Sequence, residues 1–171
     1  MPAENILLTG PPRSGKSTLI EKVIQRINKP ATGFFTRELR EKGQRVGFLI
    51  ETLDGKSGIL AHQKIKSRYR VGKYGVNLAD LDQIAVVSML PSTPDQIVVI
   101  DEIGKMECFS PLFKETLLRV LSSENQVIGS IAIKGDRFIQ SIKKRDDVSL
   151  VSITDKTRDA ALELFLKEIG R

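Results

Sequence analysis

Tryptophan is absent, and cysteine and histidine occur once each. A lone cysteine cannot close an intramolecular disulfide, so the fold must rest on its own core. One cysteine and one histidine also exclude zinc sites built from Cys/His clusters. They could still pair as a Cys–His nucleophile, but nothing around His62 or Cys108 points to one. No run of 18 apolar residues occurs, so no membrane-spanning helix is expected. The opening residues, 1–5, lack the basic flank of a secretory signal, which leads to the expectation of a cytoplasmic protein. Internal repeats, low-complexity tracts and Pro/Gly/Ser linkers are missing too. One domain over residues 1–171 is therefore expected.

What is present suits a folded enzyme-sized unit. The 171 residues suffice to bury a core, and 40% hydrophobic against 28% charged residues reads as globular. Lys plus Arg total 27 and Asp plus Glu 21, a net charge of +6. That balance favours anionic partners, whether phosphates, nucleic acid or an acidic surface, without choosing among them.

Hydrophobic periodicity outlines an α/β chain. Residues 6–9 form a short apolar run ending at Gly10, as a buried strand would. Leu19, Ile20, Val23, Ile24 and Ile27 then recur at helical spacing up to Asn28-Lys29-Pro30. Residues 33–39, 45–53 and 57–62 are β-prone and separated by turn signals, which predicts an antiparallel meander. Residues 63–75 are polar and basic without a clear period, and 77–90 predict a helix with Leu78, Leu81, Ile84, Ala85 and Met89 inward. Four apolar residues, 97–100, then run into Asp101, as in a strand buried on both faces. Helices over 111–122, 136–145 and 157–169 alternate with strands over 127–133 and 148–153. This alternation predicts a parallel sheet covered on both sides.

Gly10-Pro11-Pro12-Arg13-Ser14-Gly15-Lys16-Ser17 fits the phosphate-binding pattern G-x-x-x-x-G-K-[ST] at every fixed position. By chance it arises on the order of once per hundred chains of this length at average residue usage. It also has the required setting, a strand before and a helix after. The chemistry needs glycines so that backbone N–H groups converge on phosphate oxygens, with the helix dipole aimed at the same point. Lys16 reaches the β- and γ-phosphates, the Ser17 hydroxyl suits Mg²⁺, and Thr18 is placed to meet a phosphate nearer the base. A P-loop also needs a carboxylate from a neighbouring strand to hold Mg²⁺, which assigns Asp101. Glu102, next in line, can orient or deprotonate the attacking water.

With the P-loop, the segment Asp101-Glu102-Ile103-Gly104-Lys105-Met106-Glu107 resembles the THEP1-type nucleoside-triphosphatases. Residues 33–38, 45–48 and 71–76 match as well, so the resemblance covers nearly the whole chain. It implies a three-layer, RecA-like P-loop NTPase fold, with a mostly parallel sheet and an inserted antiparallel β-meander. It also implies Mg²⁺-dependent hydrolysis of ATP, GTP, CTP and UTP to diphosphate and phosphate, although a kinase role has been considered for such proteins. Residues 10–17 would hold the phosphates, and 101–108, ending at Cys108, would form the second nucleotide-contacting segment. The chain departs from the family in Arg13, where glycine is common, and in Cys108, where an aliphatic residue is common.

Charge developing on the transferred phosphoryl group calls for a cation beyond Lys16. Arg37 is favoured because it lies within a family-like stretch, though a solvated surface role suits it equally. Arg158, between the last strand and the last helix, is a candidate to stack on any base, since no N-K-x-D guanine signature is present. Lys64, Lys66, Arg68 and Arg70 interleave with Tyr69, so nucleic acid is a conceivable partner, but a charge-blunted edge explains them as well. A monomer acting on nucleoside triphosphates is the expectation. A phosphotransferase and a nucleic-acid-responsive switch are the alternatives.

Overall fold

Apolar side chains alternate across β1 (Asn5–Thr9): Ile6 and Leu8 join one core and Leu7 the other. β7 (Ile97–Ile103) repeats this, with Ile97 and Val99 on one side and Val98 and Ile100 on the other. Strands apolar on both faces need cover on both faces. A computed structural model describes residues 4–154 and 156–169 and shows that cover. Residues 1–3, on which the signal-peptide reading partly rests, lie outside the described residues.

In chain order the remaining elements are α1 (Lys16–Arg26), β2 (Ala31–Glu41), β3 (Gln44–Thr52), β4 (Ser57–His62), β5 (Arg70–Val71) and β6 (Tyr74–Val76). Next come α2 (Leu78–Asp80), α3 (Pro111–Leu121), β8 (Val127–Ile131), α4 (Arg137–Lys143), β9 (Val148–Ser152) and α5 (Arg158–Ile169). One nine-stranded sheet runs β5-β6-β4-β3-β2-β7-β8-β1-β9. The β2–β7, β7–β8, β8–β1 and β1–β9 pairs are parallel, and the rest are antiparallel. α1 and α5 cover one face, and α2, α3 and α4 the other. This is the expected three-layer P-loop NTPase architecture. Among the described residues no helix is long and apolar enough to cross a membrane.

Three regions differ from the sequence reading. Residues 70–76, without a clear period in the sequence, form β5 and β6 and extend the antiparallel part of the sheet. Residues 33–39 do not belong to the meander alone. β2 pairs in parallel with β7 through Ala31–Phe35 and antiparallel with β3 through Phe34–Glu41, so it joins the two halves of the sheet. The expected helix over 77–90 is a short α-turn, Leu78–Asp80, that widens into a π-helix, Leu81–Val86. The inward residues are as expected: Leu81, Ala85 and Met89 are fully buried, with Leu78 and Ile84 packed beside them. Six residues are too few for apolar spacing to separate an α-helix from a wider one. Asp80 also has a tertiary task, since its Oδ2 accepts the Ile59 N–H of β4 (2.9 Å).

A buried amide stitches the parallel strands to the helical layer. Asn5 is fully buried. Its Nδ2 donates to the Leu121 carbonyl (2.9 Å), and its Oδ1 accepts the Val127 N–H (2.9 Å). One side chain thereby satisfies the end of α3 and the start of β8. Asn5→Leu would leave both backbone groups buried without partners and is expected to lower stability by about 2–4 kcal/mol. Urea unfolding measures this. A loss below about 1 kcal/mol would mean that other groups satisfy them.

Candidate active site

β1 delivers the chain to Gly10 and α1 carries it away, so residues 10–15 must turn sharply. The turn closes with the Ser14 N–H on the Pro11 carbonyl (3.2 Å), and Arg13 (φ 63°) and Gly15 (φ 91°) take left-handed backbone. Glycine is favoured at 15 by its left-handed φ, and a Cβ there would stand 2.7 Å from Arg158 Cδ and 2.8 Å from its Nη1, so that side chain would have to shift. α1 has no side-chain cap and no acid in its first turn. The N–H groups and positive dipole end of its first turn therefore face an anion site. Lys16 Nζ donates to the Gly10 carbonyl (2.6 Å), which keeps the ammonium inside the turn. The Ser14 hydroxyl is buried with no partner among the described residues, a donor inside the loop. Pro11, Pro12, Arg13 and Thr18 are exposed.

The acidic pair meets this loop across the sheet. β7 carries a bulge: Ile100 is level with Gly129 and Ile103 with Ile131, so three steps on β7 oppose two on β8. Asp101 lies in the bulge, buried, and accepts from Ser17 Oγ through Oδ2 and from Ser130 Oγ through Oδ1 (2.5 Å). Burial pushes the Asp101 pKa up, and the two hydroxyls, Arg37 and Lys16 oppose that without cancelling it. Glu102 folds over Gly104, where an added Cβ would stand 2.9 Å from its Oε1. Burial raises the Glu102 pKa as well, Lys16 pulls it down, and Asp101 adds to the rise. A phosphate cradle, a hydroxyl–carboxylate pair and a second carboxylate thus converge above the ends of β1, β8 and β7.

Comparison with known proteins shows the family. The family model for NTPase matches residues 5–166. The chain belongs to the NTPase family. It is 45% identical over 162 residues to nucleoside-triphosphatase THEP1 of Thermotoga sp. (strain RQ2), covering 94% of this chain and 92% of that one. It is 37% identical over 177 residues to a cancer-related nucleoside-triphosphatase of Homo sapiens, covering 94% and 93%. The crystal structure of THEP1 from Aquifex aeolicus superposes with a TM-score of 0.89 at 32% identity, covering 98% of this chain and 99% of that one. The THEP1-type resemblance read from the motifs is thereby established.

Within this NTPase-family chain the segment 101–108 divides by burial. Ile103 is fully buried, Glu107 and Cys108 nearly so, and Met106 packs on the core from its margin. Lys105 is exposed and lines a cavity of about 450 Å³ with Cys108, Phe109, Lys134 and Asp136. Burial, with Glu107 close by, pushes the Cys108 thiol up to about 12, which removes the thiolate needed for redox sensitivity. Arg37 lies two residues beyond Phe35, the register partner of Asp101. It is bound by Glu21 of α1 and by Glu51 of β3 (3.2 Å), and it stacks on Phe35 at 4.8 Å. Arg158 lies against Gly15 at the start of α1. Asp155, in the same connection, lies outside the described residues. Phe34 is fully buried edge-on to Phe113, which excludes base stacking, and His62 Nδ1 accepts the Lys64 N–H (3.0 Å) at a strand end. Ser130 was not singled out from sequence. The one signal was a hydroxyl within the otherwise apolar run Val127–Ile131.

Glu107 is a carboxyl with one oxygen, Oε2, unpartnered among the described residues. Burial raises its pKa well above the usual 4.5, and Glu102 and Asp101 push the same way. A carboxyl raised in the fold contributes fully below its unfolded pKa, and that contribution is lost as pH rises toward the folded value. Glu107→Gln removes the titration. Relative to wild type, the variant should therefore gain stability as pH climbs above 4.5. Urea midpoints at pH 5 and pH 8 test this, and an equal difference at both would show that the fold does not raise the Glu107 pKa.

Proposed function

We propose that the chain hydrolyses nucleoside triphosphates to nucleoside diphosphate and phosphate in the presence of Mg²⁺. The observation that carries this reading is the Ser17–Asp101 contact at the N-terminus of α1, with Glu102 beside it. The relatives are nucleoside-triphosphatases by name, which supports the same activity.

The residues fit Mg²⁺. Ser17 and Asp101 bring a hydroxyl and a carboxylate oxygen together, the hard donors that this ion prefers. Among the described residues no group of three or more His, Cys, Asp or Glu could hold a metal, so phosphate and water oxygens must complete the shell. When bound, the ion would neutralise charge developing on the transferred phosphoryl group.

The protein's part is positioning and proton transfer. The loop amides, the Ser14 hydroxyl and Lys16 hold the phosphates. Glu102 orients a water and takes its proton as the water oxygen bonds to the γ-phosphorus. The bond from that phosphorus to the bridging oxygen breaks, and the diphosphate leaves with the electron pair. Arg37 would meet charge on the transferred group by exchanging Glu21 or Glu51 for a phosphate oxygen. Arg158 would lie along the nucleotide, tolerant of the base because a guanidinium plane stacks on any of them.

The test is phosphate release from ATP, GTP, CTP and UTP, with and without Mg²⁺. Release from several nucleotides with no acceptor is expected. Lys16→Ala and Glu102→Gln should each lower it on the order of 10²-fold or more. Tight nucleotide binding without release would sink the hydrolytic reading. Arg158→Ala should raise KM for every nucleotide with kcat little changed, and an unchanged KM would remove Arg158 from the site.

A further inference from the structure

Exposed Arg13, in the P-loop, also lines a cavity beside the loop. That cavity, about 700 Å³, is bounded by Arg13, Arg40, Gln44, Arg45, Lys73 and Tyr74. Arg13 follows β1, whereas Arg40 and Arg45 stand at the far end of the β2–β3 hairpin. In the sheet, β8 and β7 lie between them. The cavity therefore bridges the P-loop and the antiparallel extension across the strand ends that carry Asp101 and Glu102.

Its charge is one-sided. Glu38 is shared by Arg40 (2.8 Å) and Arg45 (3.2 Å), so one carboxylate answers two guanidinium groups. Arg13 and Lys73 make no ion pair among the described residues. The cations are also held in place. Arg45 Nε donates to the Tyr74 hydroxyl (3.0 Å), and its guanidinium lies 5.1 Å from the Phe48 ring and 5.5 Å from the Tyr74 ring. Arg40 Nη1 donates to the Gly43 carbonyl (3.1 Å), and Lys73 Nζ stands 5.6 Å from the Tyr74 ring. Converging, positioned cations around a cavity of this size form a binding site for a small anion-bearing ligand.

We propose that this cleft is a second ligand site, distinct from the triphosphate cradle, which takes a phosphorylated small molecule of nucleoside-monophosphate size. A nucleic-acid track fits less well. The flanking cations that would extend the cleft are already engaged within the chain, Arg70 donating to the Ile65 (3.0 Å) and Lys73 (2.8 Å) carbonyls and Arg68 to the Tyr69 hydroxyl (2.7 Å). The Tyr74 ring is buried, so it offers no open platform for successive bases.

The experiment is calorimetric titration of AMP into protein whose P-loop is already saturated with a non-hydrolysable ATP analogue and Mg²⁺. One further equivalent should bind, more weakly as salt rises. The double variant Arg40→Gln/Lys73→Gln should lose at least ten-fold in AMP affinity while still binding the analogue, which shows that it is folded. Arg40→Gln alone should leave phosphate release from ATP within about two-fold, since Arg40 touches none of the hydrolytic groups. Inorganic pyrophosphate in place of AMP separates recognition of phosphate from recognition of nucleoside, and adenosine should not bind. No second equivalent, equal binding by the double variant, equal binding of adenosine, or tighter binding of a single-stranded oligonucleotide than of AMP would each overturn the assignment.

Discussion

Asp101, buried, accepts hydrogen bonds from two hydroxyls, and much of the molecule is arranged so that it can. A carboxylate buried without partners would be costly and would protonate. Ser17 supplies one partner from the first turn of α1, and Ser130 the other from β8. Both are within reach because β8 lies between the strand leading to the P-loop and the strand bearing Asp101. The bulge at the end of β7 sets the carboxylate in that gap. Strand order, bulge and helix entry thus serve one contact, and that contact forms a hard-oxygen site at the edge of a phosphate cradle.

Electrostatic tension surrounds it. Asp101, Glu102 and Glu107 all have their pKa values raised by burial; Asp101 adds to the rise at Glu102, and both add to it at Glu107. Lys16 opposes the rise at Asp101 and Glu102, and Arg37, itself paired with Glu21 and Glu51, opposes it at Asp101. A site with this balance favours ligands that bring their own cation to the carboxylates and anionic oxygens to the loop. A nucleotide with a divalent ion has both.

β2 explains how the antiparallel extension comes to stand over this site. Its first half is held in parallel by β7, and its second half runs beyond the register partner of Asp101 and pairs only with β3. The extension is therefore an outgrowth of a core strand and not a separate appendage. Arg40 lies on the second half of that strand, whose first half pairs beside Asp101.

Much of this was legible in the chain. The P-loop, Asp101 and Glu102 are local patterns with one chemistry behind each, and the two-sided apolar runs imposed helices on both faces. The first three strands of the meander could be read because turn residues and β-prone runs are also local; β5 and β6, in the stretch without a clear period, could not. Periodicity stopped short at residues 81–86, where a widened turn buries the same side chains that an α-helix would. It was silent on Asn5, Ser130 and the burial of Glu107, because a polar residue reveals its partner only when distant strands meet. Composition showed that the chain is basic but not that Arg13 shares a cavity with Arg40, Arg45 and Lys73. The sequence by itself determined the cradle, the acid pair and the fold class, since neighbouring residues carry those signals. Only the tertiary structure decided which hydroxyls hold Asp101, which cations are already paired and where the unpaired charge gathers, since those depend on strand order and on contacts between residues far apart in the chain.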